Sequence, residues 1–92
     1  MTRREVEIRN RLGLHARAAA RFVHVANRFK SRVQLSRDGR SMDGKSILGI
    51  LLLAASQGTR LTIVAEGEDE ADCVAALAQL VEGGFGEDAP SE

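Results

Sequence analysis

Residues 13–17, which read GLHAR, place a histidine directly before a run with helical periodicity. His15 falls at the N-cap of that predicted helix, where unpaired backbone N–H groups and the helix dipole favour an anion. An imidazole nitrogen is a competent nucleophile near neutral pH, and the planar guanidinium of Arg17 can bind the same anion. The pattern is typical of a phosphoryl-accepting site. The alternative is that His15 only caps the helix and Arg17 is solvated.

Residues 39–46, which read GRSMDGKS, match the phosphate-loop pattern G-x-x-x-x-G-K-[ST]. A phosphate loop follows a buried parallel strand, whereas the residues before Gly39 alternate between polar and apolar, as in an antiparallel strand. The pair Asp38-Gly39 also favours a type I′ hairpin turn, in which both central residues have positive φ. We therefore interpret the match as accidental and expect no nucleotide binding. Ser46 is instead predicted to be the N-cap of a second helix.

The periodicity of the rest of the chain predicts the elements that position these residues. Strands are predicted at residues 5–9, 32–36, 40–42 and 61–65, and helices from Ala16, from Ser46 to a C-cap at Gly58, and at about residues 70–82. The order β-α-β-β-α-β-α predicts an α+β fold, with one antiparallel sheet and helices on a single face. The predicted domain covers residues 1–86. The chain from Gly83 is glycine-rich and acidic and is expected to fray, with a flexible tail at residues 87–92.

Composition limits the class of protein. The 92 residues suffice for one domain, and the single cysteine, Cys73, can form no internal disulfide, which is typical of a cytoplasmic protein. Residues 1–46 carry 12 basic and 4 acidic side chains, whereas residues 47–92 carry 1 and 9, an asymmetry that favours an acidic partner. With three Phe, no Tyr and no Trp, the chain offers few groups for stacking on nucleic-acid bases.

At this point the sequence resembles a known family. GLHARAAARFV closely resembles the active-site segment of HPr, the histidine phosphocarrier of the bacterial sugar phosphotransferase system, and residues 45–59 resemble the second-helix segment with its regulatory serine. The resemblance covers residues 2 to about 86. It implies an open-faced β-sandwich, with a four-stranded antiparallel sheet covered on one face by three helices. One departure is Ala18, where the family usually has proline. The absence of proline brings the rigidity of the first helical turn into question.

The resemblance also implies roles for individual residues. His15 would accept on Nδ1 a phosphoryl group that enzyme I takes from phosphoenolpyruvate, and would pass it to a histidine of enzyme IIA. Arg17 would stabilise the phosphate. Ser46 would be phosphorylated by HPr kinase/phosphorylase, with a transcriptional regulator as a further partner.

The second helix is apolar almost all round, so a single layer of helices cannot bury all of it. Ile50, Leu53 and Ala54 are predicted to face inward, which leaves Leu48 and Leu51, with Ile47 and Leu52, near solvent. An exposed apolar cluster typically marks a protein contact, although a loop or the tail could cover it instead. The predicted docking residues are Arg21, Ile47, Leu48 and Leu51, with Arg21 on a basic stripe that also holds Arg17, His24 and Arg28. His24 itself is interpreted as a surface residue.

The resulting hypothesis is a monomeric cytoplasmic phosphocarrier, not an enzyme, without cofactor or metal and without affinity for nucleic acid or membranes. Two alternatives remain open. One is an HPr-like regulatory phosphoprotein of a nitrogen-related branch, which would use the same histidine. The other, more remote, is a small nucleic-acid-binding domain, suggested only by the arginines.

Overall fold

The computed structural model describes residues 1–87 and contains one four-stranded sheet with three helices. The strands are β1 (Thr2–Glu7), β2 (Arg32–Arg37), β3 (Arg40–Asp43) and β4 (Arg60–Glu66), and the helices are α1 (Ala16–Ala26), α2 (Ile47–Leu51) and α3 (Glu70–Glu82). The order in the sheet is β1-β4-β2-β3, and every neighbouring pair is antiparallel. The predicted α+β class and the predicted order of elements are confirmed.

The core lies between one face of the sheet and the helices. Along β4, Leu61, Ile63 and Ala65 are buried while the residues between them are half-exposed, so the alternation seen in the sequence separates a core face from an outer face. Phe22 of α1 and Leu77 of α3 are fully buried against this face. Cys73 also packs in the core, and burial raises the pKa of its thiol.

The turn between β2 and β3 is a hairpin turn, which is incompatible with a phosphate loop at residues 39–46. Asp38 and Gly39 have φ values of 51° and 82°, and Arg37 pairs with Arg40 across the turn. These are the values that a two-residue hairpin needs. Because β2 pairs antiparallel with both of its neighbours, residues 39–46 do not follow a parallel strand. The interpretation of the motif as accidental is confirmed.

The second helix is shorter than predicted. Ser46 is its N-cap, as expected, but the helix ends at Leu51, with Leu52 as C-cap. The prediction that Gly58 caps it was wrong: Gly58 lies in the turn before β4, where its N–H donates to the carbonyl of Ile8 at 2.8 Å. The run from Ile47 to Ala55 is apolar throughout, so periodicity gave no boundary inside it.

Several inward-facing assignments need correction. Ala54 is exposed and has a φ of 49°, and Ala55 is buried in its place. The apolar periodicity of the sequence predicts a buried face on α1 that includes Ala16 and Ala20, and one on α3 that includes Ala71, but all three residues are exposed. Ala18 is buried instead, together with Phe22, which the same periodicity places beside the predicted face. These helices have alanine on both their buried and their exposed faces, so the spacing of apolar residues does not define the exact position of the buried face. Strand β1 also begins earlier than predicted, at Thr2.

The chain beyond α3 folds back onto the domain instead of fraying at Gly83. Gly84–Gly86 form a 3-10 turn, in which Phe85 is only 1% exposed. The guanidinium of Arg21 in α1 donates a hydrogen bond to the carbonyl of Phe85. Glu87, assigned to the tail by prediction, packs on the domain as well. The remainder of the predicted tail, residues 88–92, lies outside the described residues.

Within residues 1–87, no helix is both long enough and apolar enough to span a membrane.

Candidate functional site

His15 is the N-cap of α1, as predicted. Its backbone is extended, with φ −81° and ψ 179°, and its carbonyl accepts the first helical hydrogen bond, from Ala19 N at 2.8 Å. The ring also takes part in capping, because Nδ1 accepts a hydrogen bond from the backbone N–H of Arg17 at 3.3 Å. The nitrogen that faces the N-terminus of the helix is therefore Nδ1, and it presents a lone pair.

The loop before His15 is held by backbone contacts. Gly13 has a φ of 70°, and the N–H of Leu14 donates to the carbonyl of Ala55 at 2.8 Å. The carbonyl of Gly13 accepts two hydrogen bonds, from His15 N at 3.0 Å and from the buried Asn10 Nδ2 at 2.8 Å. The position of His15 thus depends on a tight turn that lies against the segment after α2.

The second ring nitrogen of His15 contacts Glu87, a residue that the sequence pattern did not place in the site. Nε2 lies 2.5 Å from Oε2 of Glu87, and the other oxygen of Glu87 accepts from Asn10 Nδ2 at 2.9 Å. The side chains of His15 and Glu87 are only 28% and 14% exposed. No local signal points to this pair, because 72 residues separate its members and Glu87 follows a glycine-rich segment.

Arg17 lies one residue into α1 and its side chain is exposed. Among residues 1–87 its guanidinium has no hydrogen-bond or ion-pair partner, so it is available to an anion near Nδ1. Arg21, His24 and Arg28 are also exposed, which confirms the surface position of His24. Arg21 differs from the others because it binds the Phe85 carbonyl and so holds the C-terminal turn.

Ala18 is fully buried in the first turn of α1. Unlike a proline, it keeps a backbone N–H, and helix geometry leaves the N–H groups of Ala16, Arg17 and Ala18 without carbonyl partners inside the helix. An alanine in place of the proline expected from the sequence resemblance therefore leaves a donor at the helix N-terminus.

Ser46 caps α2 with its hydroxyl, which accepts a hydrogen bond from Gly49 N at 3.0 Å. Its side chain is half-exposed. A Cβ on Gly49 would lie 3.2 Å from the Ser46 Oγ, so glycine leaves space around the hydroxyl. The neighbouring Lys45 directs its Nζ to the carbonyl of Phe29 at 2.8 Å, a role in packing and not in binding phosphate.

Exposed apolar side chains follow Ser46 in the chain. Leu48 is 76% exposed, Leu52 61% and Ile47 40%, as expected from the sequence. Leu51, predicted with them, is partly buried against the core. Leu12, in the loop before His15, is 69% exposed, and its exposure was not predicted.

Among residues 1–87, no cluster of His, Cys, Asp and Glu could hold a metal ion.

An open-faced β-sandwich with a histidine at the N-terminus of its first helix defines the class of small histidine phosphocarrier domains. The chain belongs to the HPr family: the family described as "PTS HPr component phosphorylation site" matches residues 2–83. The chain is therefore an HPr-type phosphocarrier of the phosphotransferase system, which confirms the resemblance seen in the sequence.

Individual relatives agree over nearly the full length. The phosphocarrier protein HPr of Xylella fastidiosa is 47% identical over 96% of this chain and 99% of its own. The crystal structure of HPr from Thermoanaerobacter tengcongensis superposes with a TM-score of 0.92 and 43% identity, covering 97% of this chain and all of that one. The HPr-like protein Crh of Bacillus subtilis is 48% identical over 89% of this chain and 96% of its own. A crystal structure of Crh is described as a domain-swapped, intertwined dimer. The monomeric state expected from the sequence therefore stays a prediction.

Proposed function

We propose that His15 accepts on Nδ1 a phosphoryl group delivered by enzyme I from phosphoenolpyruvate, and passes it to a histidine of enzyme IIA. The observation that supports this most is the direction of the ring. The lone pair of Nδ1 lies at the N-terminus of α1, 3.3 Å from the N–H of Arg17. A phosphoryl group bonded there would meet the positive end of an 11-residue helix.

The transfer needs no cofactor. As the bond between Nδ1 and phosphorus forms, the bond between phosphorus and enzyme I breaks, and the later transfer to enzyme IIA restores His15. Once Nδ1 is bonded to phosphorus it no longer accepts from Arg17, so that N–H is free for a phosphoryl oxygen. The exposed guanidinium of Arg17 supplies a charge-assisted hydrogen bond to the same group. Because His15 is consumed and regenerated, the chain acts as a carrier and not as an enzyme.

We further propose that Ile47, Leu48, Leu51 and Arg21 form the docking face for both partners. The exposed part of α2 is apolar, and α1 beside it carries exposed cations. Apolar anchors next to basic side chains fit a partner with a mixed apolar and acidic surface. The partly buried Leu51 contributes less area than Leu48, and the Arg21 guanidinium must also keep its bond to Phe85.

Ser46 is the proposed regulatory site, with HPr kinase/phosphorylase as the modifying enzyme and a transcriptional regulator as a further partner. Its half-exposed hydroxyl lies beside Ile47 and two residues from Leu48. A phosphoserine carries about −1.5 to −2 charges at neutral pH. Such a charge at the edge of the docking face would repel an acidic surface of enzyme I and attract a partner that presents arginine.

The similarity to Crh supports a second candidate, a regulatory phosphoprotein that feeds no sugar transporter, such as one of a nitrogen-related branch. Both candidates place the chain in the cytoplasm, together with enzyme I. They differ in the fate of the phosphoryl group.

A chase experiment separates them. The chain is labelled with radioactive phosphoenolpyruvate and enzyme I, freed of both, and mixed with a panel of enzyme IIA proteins from the same organism. The carrier proposal predicts that the label leaves His15 and appears on one of them. Label that stays on the chain with every sugar-type IIA, but moves to a nitrogen-type IIA, supports the regulatory candidate instead. His15→Ala, mixed and treated identically, is the control and should carry no label at any stage.

A further inference from the structure

An arginine follows the buried residues of β2 on the core face of the sheet, where a charged side chain needs partners. Leu35 is fully buried on that face, and Arg37 is the next residue on the same side of the strand. Its guanidinium Nη1 donates two hydrogen bonds, to the carbonyls of Leu53 and Ala54, each at 2.8 Å. We propose that Arg37 is a positioning residue, which holds the segment after α2 and through it the loop that carries His15. This role rests on the proposed function of His15.

The segment after α2 carries backbone strain. Ala54 is exposed and has a φ of 49°, a left-handed conformation that is unfavourable for alanine. The N–H groups of Leu53 and Ala54 donate to carbonyls of α2 at 3.1 and 3.0 Å, but their own carbonyls lie beyond the end of the helix. A strained conformation persists only where its surroundings determine it. Arg37 supplies part of that determination, because it binds the carbonyl on each side of the strained residue's N–H.

The same segment supports the loop before α1. The carbonyl of Ala55, directly after the two that Arg37 binds, accepts the hydrogen bond from Leu14 N at 2.8 Å. A Cβ on Gly13 would lie only 2.6 Å from that oxygen, so the two backbone segments are in close contact. The N–H of His15 in turn donates to the carbonyl of Gly13 at 3.0 Å. A displacement of the segment after α2 therefore reaches His15 through backbone contacts alone.

The position of the loop bears on the transfer step more than on docking. Transfer requires Nδ1 of His15 in line with the bond that breaks, and added freedom of the loop lowers the fraction of molecules with this geometry. The helix α2 keeps its own N-cap at Ser46, and the carbonyls that Arg37 binds follow its last residue. We therefore expect the loss of Arg37 to slow transfer within the complex with enzyme I and to leave formation of that complex nearly unchanged.

One substitution at two positions of β2 isolates this role. Arg37→Met removes the donors and keeps most of the aliphatic stem. Arg32→Met is the matched control, because Arg32 lies at the other end of the same strand, is exposed, and lies opposite Glu66 on the outer face. Arg37→Met also removes an ion pair at 3.5 Å with Asp38, but that carboxylate is exposed and the pair contributes little. Circular dichroism melting curves establish a temperature at which both variants are folded.

The first readout is hydrogen exchange of the Leu14 N–H, measured by NMR under native conditions without any partner protein. The N–H of Ile63, in a strand with a neighbour on each side, is the internal reference for global stability. In Arg37→Met, protection of Leu14 should fall about tenfold more than protection of Ile63, because the carbonyl that Leu14 binds is no longer held in place. In Arg32→Met the two amides should keep the ratio that they have in the parent protein.

The second readout is steady-state phosphorylation by enzyme I, with the concentration of the chain varied. In Arg37→Met, kcat should fall about tenfold, whereas KM should stay within about twofold of the parent value. A loss of stability alone would change neither constant at a temperature where the variant is folded. Arg32→Met should match the parent protein in both constants.

Three results would overturn the inference. They are the same ratio of Leu14 to Ile63 protection in both variants, an unchanged kcat in Arg37→Met, or a raised KM with an unchanged kcat, which would assign Arg37 to docking. If Arg37→Met does not fold, Arg37→Lys is compared with Arg32→Lys in the same way. The shorter lysine side chain reaches the two carbonyls less well, so both effects should have the same direction at about threefold.

The failure of the proposed function would look different. A parent protein that enzyme I does not phosphorylate would contradict the role of His15, while hydrogen exchange would still report on the contacts of Arg37.

Discussion

Gly13→Ala tests how closely the position of His15 depends on the turn before it. Gly13 has a φ of 70°, and a Cβ built there would lie 2.6 Å from the backbone oxygen of Ala55. That oxygen accepts the hydrogen bond from Leu14 N, so it cannot withdraw without weakening this bond. An alanine at this position therefore combines left-handed backbone strain with a clash between two backbone segments.

The size of the effect follows from these two contributions. The left-handed conformation costs an alanine about 1 kcal/mol. Relief of the clash, including loss of the bond from Leu14, adds about 2 kcal/mol. Gly39→Ala is the matched control, because Gly39 has a similar φ of 82° and a Cβ there would have no heavy atom within 4 Å. We expect the free energy of unfolding to fall by about 3 kcal/mol in Gly13→Ala and about 1 kcal/mol in Gly39→Ala.

Thermal unfolding followed by circular dichroism measures this difference. For a domain of this size, the extra 2 kcal/mol or so should place the Tm of Gly13→Ala roughly 10 °C below that of Gly39→Ala. At a temperature where both are folded, Gly13→Ala should also be phosphorylated more slowly by enzyme I, because the Gly13 carbonyl binds the backbone N–H of His15. Equal Tm values for the two variants would refute this reasoning.

Three further predictions concern other parts of the molecule. The pKa of Glu70 is lowered from 4.5 to about 2 by hydrogen bonds from the Met1 α-ammonium, the Thr2 hydroxyl and the Gly67 N–H. Because the pKa is lower in the folded state than in the unfolded state, this carboxylate contributes its full stability above pH 4.5. That contribution is lost as the pH falls toward 2. Denaturant titrations from pH 6 to pH 2 should show a smaller loss in Glu70→Gln than in the exposed control Glu68→Gln, and equal losses would count against the contact. Leu48→Asp should slow phosphorylation by enzyme I about tenfold. The control Ala75→Asp, on the exposed side of α3, should not slow it. Equal rates in the two variants would show that Leu48 is not part of the docking face. Ser46→Asp should slow phosphorylation by enzyme I at low salt. Ser46→Ala, which loses a helix cap worth about 1 kcal/mol, should leave the phosphorylation rate unchanged. Equal rates in the two variants would leave Ser46 with only the role of a helix cap.

The parts of the fold that depend on neighbouring residues could be predicted from the sequence. The alternation in β4 separates core from solvent, and Asp38-Gly39 specifies its own turn, because few residue pairs tolerate two positive φ values. His15 and Ser46 are both N-caps, as their positions before apolar helical runs indicated. The place of His15 in the fold thus follows from its immediate neighbours in the chain.

What depends on distant contacts could not be predicted in this way. The end of α2 at Leu51 has no local signal, because the following residues are equally apolar. Ala54 also adopts a left-handed conformation that alanine does not favour. The contact of Glu87 with His15 joins residues 72 positions apart, and the glycine-rich segment before Glu87 has the composition of a flexible tail. Three consecutive positive φ values, around a buried Phe85, turn that segment into part of the site.

The identity of the phosphorylated nitrogen is the most direct test of the central claim. The chain is incubated with phosphoenolpyruvate and enzyme I, its intact mass is measured, and samples are then exposed to acid or to base. We expect one added phosphoryl group, which acid removes and base does not, as expected of a phosphoramidate. It should be absent in His15→Ala, and ¹⁵N spectroscopy of the ring should locate it on Nδ1. A phosphoryl group that persists in His15→Ala, or that resides on Nε2, would contradict it.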